Sequence, residues 1–137
     1  MIRSAIGFSV LIVAVVSLLV AFVASAGQDA VASKRSQFMR MKLDQSKNAL
    51  EGLTREDYAL IGKSARTLKR LSEAAEWEDP MIPNVEQYLA YTNEFQRLCD
   101  EMGTKAKEKK VDGPTLAYLK LTMNCVSCHK FVRTVRD

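Results

Sequence analysis

Three breaks cut residues 27–137 into four stretches, each with helical periodicity, and that division leaves few folds open. The breaks are Gly52-Leu53-Thr54, the run from Glu78 to Asn84 with Pro80 and Pro83, and Asp112-Gly113-Pro114. Two prolines within four residues cannot continue a helix. A glycine suits the left-handed residue that ends one. No stretch alternates as a strand would, and no repeat or low-complexity segment interrupts the pattern. The expectation is an all-α fold, an antiparallel four-helix bundle whose short connections make consecutive helices neighbours.

The first helix is expected from about Ala30 to Glu51, with Met39, Leu43, Ala49/Leu50 as its apolar stripe and Ser46 within it. Gly52 would end it. Thr54-Arg55-Glu56-Asp57 resembles a capping box with Asp in place of Glu, so the second helix is expected from Arg55 to Glu76. Its inner face is Tyr58, Ile61, Ala65, Leu68, Leu71 and Ala75. Asn84 with Gln87 marks the start of a third helix reaching Lys110, lined by Val85, Leu89, Thr92, Phe95, Leu98/Cys99, Met102 and Ala106. The lysines at its end (Lys105, Lys107, Lys109, Lys110) read as a solvated terminus opposing the helix dipole. Trp77 is expected to pack beneath the Pro80–Pro83 loop. The fourth helix is expected from Pro114 to Thr134, with Ala117, Leu121, Cys125, Cys128 and Val132 on one face.

That last helix carries Cys125-Val126-Ser127-Cys128-His129. The spacing is C-x-x-C-H, the attachment pattern for c-type haem, in which two thiols add to the haem vinyl groups and the histidine binds the iron. On a helix, residues three and four apart share a face, so Cys125, Cys128 and His129 can address one flat group together. A bare C-x-x-C also occurs as a dithiol redox pair or as half of a zinc site. The first wants a βαβ context, which this chain lacks. The second wants two further ligands, whereas His129 is the only histidine and Cys99 the only other cysteine. One covalently bound haem c accounts for Cys125 and Cys128 and leaves Cys99 as a small buried hydrophobe beside Phe95 and Met102.

The N-terminus agrees with export. Arg3 precedes an unbroken apolar run from Ala5 to Ala24, and Ala24-Ser25-Ala26 fits a signal-cleavage site. Residues 1–26 therefore read as a signal peptide, with retention as a membrane anchor the alternative, because the run is long enough to span a bilayer. The domain is 27–137, and its expected location is periplasmic or otherwise exported. The whole chain has formal charge +4, and losing Arg3 leaves +3. No basic stripe with interleaved aromatics argues for a nucleic-acid partner. Lys120, Lys130, Arg133 and Arg136 read either as a positive rim for an acidic partner or as a solvated face. At this length roughly 65% of the surface is buried on folding, so a central macrocycle would stabilise the core substantially.

With four helices, a C-x-x-C-H in the last, Arg133 four residues beyond the histidine and an Arg35-x-x-x-Met39 element in the first, residues 30–137 resemble the class II cytochromes c. These comprise cytochrome c′ and its low-spin, methionine-ligated relatives. Val132 departs from the aromatic that often follows the histidine by three, and Phe131 stands one step earlier. The resemblance implies His129 as proximal iron ligand, Arg133 near it, and Arg35 near a haem propionate. Such relatives often form homodimers through the first two helices.

Function then turns on the iron's other side. A first-helix methionine closes that site in the low-spin relatives, and a thioether beside histidine raises the reduction potential and suits electron transfer. Met39 shares its expected stripe with Leu43 and Leu50, whereas Met41 steps onto Asp44/Gln45 and Asn48, so Met39 is the expected distal ligand. The reading is an electron carrier for partner redox proteins, not an enzyme, since no acid–base pair stands ready over the iron. The alternative is a five-coordinate, gas-binding protein in which Met39 only lines the distal wall.

Overall fold

The computed structural model describes residue 34, residues 36–75 and residues 84–134. The expected export segment, Arg35, Trp77 and the Pro80–Pro83 loop lie outside the described residues. All four expected helices are present: α1 over 36–54, α2 over Tyr58–Ala75, α3 over Val85–Ala106 and α4 over Asp112–Thr134. No strand occurs among the described residues. Gln37–Asp137 form one compact unit. Among the described residues no helix is long and apolar enough to cross a membrane.

The helix ends differ from expectation for local reasons. Thr54 does not cap α2, because its hydroxyl donates back to the Glu51 carbonyl at 2.9 Å and stays in the last turn of α1. Asp57 caps instead: its Oδ1 accepts from the Leu60 amide at 2.9 Å, satisfying one of the amides a helix start leaves unpaired. The left-handed residue of this turn is Glu56, at φ 52°, and not Gly52. Gly52 has another use. A Cβ there would stand 2.9 Å from Ile61 Cγ1 and 3.1 Å from the Ile61 nitrogen, so its missing side chain lets α1 and α2 touch. Asn84 caps α3 as expected, accepting from the Gln87 amide. α3 ends at Ala106, and Lys109 takes the left-handed turn at φ 51° before α4.

The core is built mainly by Ile61, Ala65 and Leu68 of α2, by Phe95, Leu98, Cys99 and Met102 of α3, and by Ala117 and Leu121 of α4. α1 contributes Ala49 and Leu53. Its expected stripe holds in part: Met39 and Ser46 are half-buried and Ala49 is buried, with Leu53 just beyond, but Leu43 and Leu50 are exposed and Lys42 takes an inward place. Val85 and Leu89, expected inside, are also exposed. Contacts between neighbours follow a consistent order. Ala65 approaches Gly103 while Lys69 reaches Asp100, and Lys105 lies on Gly113 while Glu101 pairs with Lys120 and Tyr91 meets Asn124.

A candidate haem-attachment site

The C-x-x-C-H motif occupies the last third of α4, and α3 holds it at both ends through Tyr91. Before the motif, Asn124 Nδ2 donates to the Tyr91 carbonyl oxygen at 3.0 Å. Beyond it, the Phe131 ring packs on the Tyr91 ring with centroids 5.7 Å apart and tilted by 42°, a favourable aromatic geometry. These two anchors set the rotation of α4 about its axis. Cys125 and Cys128 are half-buried, and Cys125 packs against the core cluster. His129 is exposed. Tyr118, Thr122, Cys125 and His129 succeed one another at steps of four, three and four, which is one side of a helix. Tyr118 at the head of that row lies 3.2 Å from Ser46 Oγ on α1, in hydrogen-bond contact. The row that ends in His129 therefore begins, at Tyr118, against α1.

On α1 the matching row is Met39, Lys42 and Ser46, at steps of three and four. Met39 is half-buried, and so is Met41. They differ in flank: Met39 shares the side of Ser46, which meets α4, and Met41 leads into Gln45 and Asn48. Arg133 is exposed in the last turn of α4, one turn past His129. Arg35 is not among the described residues, so its pairing with Met39 rests on the sequence alone.

Lys42 is a residue that the sequence reading passed over. It is half-buried, and its ammonium sits 4.8 Å from the centre of the Phe95 ring, a cation–π contact from α1 to α3. Burial raises the thiols of Cys125 and Cys128 above the ordinary cysteine range, and the Lys42 charge opposes that rise at both. The available signal was its position seven residues before Ala49 and four before Ser46. A lysine there falls on the inward row, which only an apolar count would overlook.

Cys99 lies beneath the motif in α3 at 1% exposure. Burial, and secondarily Cys125, pushes its thiol up to about 12. Among the described residues no group of three or more histidine, cysteine or acidic side chains is arranged to hold a metal ion. The two motif thiols and the exposed imidazole lie within a five-residue span of α4, and the Met39 thioether is half-buried on α1. Comparison with protein-family models, with curated proteins and with solved structures returns no match.

Proposed function

We propose that this chain is an exported mono-haem c-type cytochrome that carries electrons between partner redox proteins. One observation carries the reading. The two cysteines of a C-x-x-C-H motif lie half-buried, Cys125 against an apolar core, while its histidine stays exposed on the row that Tyr118 heads against α1. Each thiol would add its sulfur and hydrogen across one vinyl double bond, releasing nothing. The bound group would supply a ferric/ferrous couple.

The chain's own residues supply the rest. Cys125 and Cys128 tether the group to α4, and Tyr91 keeps that helix from rotating. His129 would hold the iron through a ring nitrogen, with the Arg133 cation one turn beyond. The order of contacts between α2, α3 and α4 supports an antiparallel bundle. Continued to α1, the same sense supports Met39 as the opposite ligand. It stands two turns before Ser46, and Cys125 stands two turns after Tyr118, so the Ser46–Tyr118 contact would bring Met39 level with the motif. Lys42 adds a cation on the same row, suited to a propionate. Were His129 and Met39 both to hold the iron, the thioether would raise its potential, as suits electron transfer.

The deciding experiment is the absorption spectrum of protein matured in a host that attaches c-type haem. The colour should stay with the protein through acid–acetone extraction and vanish from it in Cys125→Ala/Cys128→Ala. The ferric wild type should be low-spin with the weak near-red band of a methionine–iron bond. Met39→Leu should become high-spin and bind carbon monoxide, and Met41→Leu should not. A wild type that is high-spin and binds carbon monoxide unassisted replaces the carrier reading with the five-coordinate, gas-binding one.

A further inference from the structure

α4 is apolar on two sides. Its inward side is spent on the core and on the motif. Its outward side carries Leu116, Leu119, Met123 and Val126, which are 55%, 55%, 70% and 52% exposed. A contiguous exposed apolar row rimmed by polar residues marks an interaction surface. The spacing is also specific. Steps of three, four and three are the a–d–a–d rhythm of a coiled-coil seam, not the broader stripe of a helix lying on a core.

The seam is symmetric along its own length. Leu116 and Val126 are each five residues from Leu121, and Leu119 and Met123 are each two. The flanking charges obey the same centre: Asp112 and Lys130 are each nine residues from Leu121, are exposed, and continue the seven-residue repeat. Two copies of α4 crossing head to tail at the level of Leu121 would therefore set Leu116 on Val126, Leu119 on Met123, and Asp112 on Lys130, each contact made twice. A parallel pairing would instead set Asp112 on Asp112 and Lys130 on Lys130. The seam's shoulders, Thr115, Thr122, Ser127 and His129, carry no fixed charge to oppose either approach. The remaining shoulder residue, Lys120, is a cation already engaged by Glu101 at 3.1 Å.

We propose that the outward face of α4 is a two-fold, antiparallel homodimer interface centred at the level of Leu121, with a second copy of this chain as its occupant. A two-fold contact demands such self-complementarity, and an arbitrary apolar patch does not have it. The surface differs from the first two helices through which the resembling family often pairs. It also lies on the opposite side of α4 from Cys125 and does not depend on haem. Four layers make a small interface beside the ~800 Å² per partner of standard complexes, so association is weak and concentration-dependent.

Sedimentation of the purified full chain over a wide concentration range should give a reversible monomer–dimer equilibrium. Leu119→Glu/Met123→Glu changes only exposed side chains, so it should keep wild-type helicity and remain monomeric. Asp112→Lys should weaken the dimer by about tenfold or more, since it sets like charges against each other twice, as should Lys130→Asp. Asp112→Lys/Lys130→Asp should restore it. A chain that is monomeric at every concentration overturns the proposal and leaves the seam to another partner. A dimer that survives Leu119→Glu/Met123→Glu assigns pairing to another face. Charge reversal without rescue refutes the antiparallel register.

Discussion

Three thiols in one small domain invite three different chemistries, and burial separates them. Cys99 is sealed beneath α4, and its thiol is pushed up to about 12, so almost none of it is thiolate at neutral pH. Cys125 and Cys128 are raised as well, but they remain half-buried; the opposing charge of Lys42 acts on all three thiols, so burial is what separates them. In haem-free protein, a thiol reagent at mildly alkaline pH should label Cys125 and Cys128 first, with Cys99 reacting only on denaturation. Peptide mass mapping of the labelled sites over time checks this order, and early labelling of Cys99 would place it at the surface. The sequence made the motif plain, because five residues at fixed spacing carry their own chemistry. Lys42 was hidden by its type: a lysine counts as polar in any periodicity, yet its stem can be buried while its charge meets an aromatic face.

At the scale of the helix, the breaks were legible and the inward faces only partly so. Pro114 and Asn84 mark helix starts by local chemistry that context does not change. The α1–α2 turn was misjudged because Thr54 and Asp57 are both good caps three residues apart, and only the fold chooses Asp57. On α1 the expected Ser46, Ala49 and Leu53 do face in, but the inward row is mostly small or polar and takes in Lys42, while the larger Leu43 and Leu50 face out. α4 has apolar residues on both sides, so periodicity alone could not divide core from seam. Two glycines test the role of close approach. Gly→Ala inside a helix ordinarily gains about 0.5–1 kcal/mol. At Gly62 the new methyl would meet only the flexible Arg66 guanidinium, at 3.4 Å, so Gly62→Ala should raise the melting temperature. At Gly52 it would meet the stiff, branched Ile61 and backbone at 2.9–3.2 Å, an overpacking cost of about 1–3 kcal/mol that outweighs the gain. Gly52→Ala should therefore lower the melting temperature, and circular dichroism of both variants reads the contrast.

Across the whole molecule, α3 is the element on which the others depend. It packs on α2 and α4, it supplies Tyr91 to the motif, and ion pairs tie it to both neighbours: Lys69–Asp100 at 2.6 Å and Lys120–Glu101 at 3.1 Å. Glu101 is the more constrained carboxylate. Lys120 of α4 holds one oxygen and Arg97 of its own helix holds the other at 2.9 Å, and both lower its pKa, Lys120 most. A carboxylate depressed in the folded state stabilises it above the unfolded value, about 4.3 for glutamate, and loses that contribution as pH falls through the folded value. Glu101 is a quarter exposed and Lys120 nearly half, so water and salt screen the link, and its worth is about 0.5–1 kcal/mol. Glu101→Gln should therefore be less stable than wild type at pH 7 by that amount, and less so in high salt. Below the carboxylate range Glu101 is protonated in both states, the charge no longer distinguishes the two chains, and their urea midpoints should converge. Midpoints measured from neutral pH down to about pH 3 test this. A gap that persists unchanged to the acid end would mean that the substituted amide disturbs packing between α3 and α4, and that the ion pair contributes little.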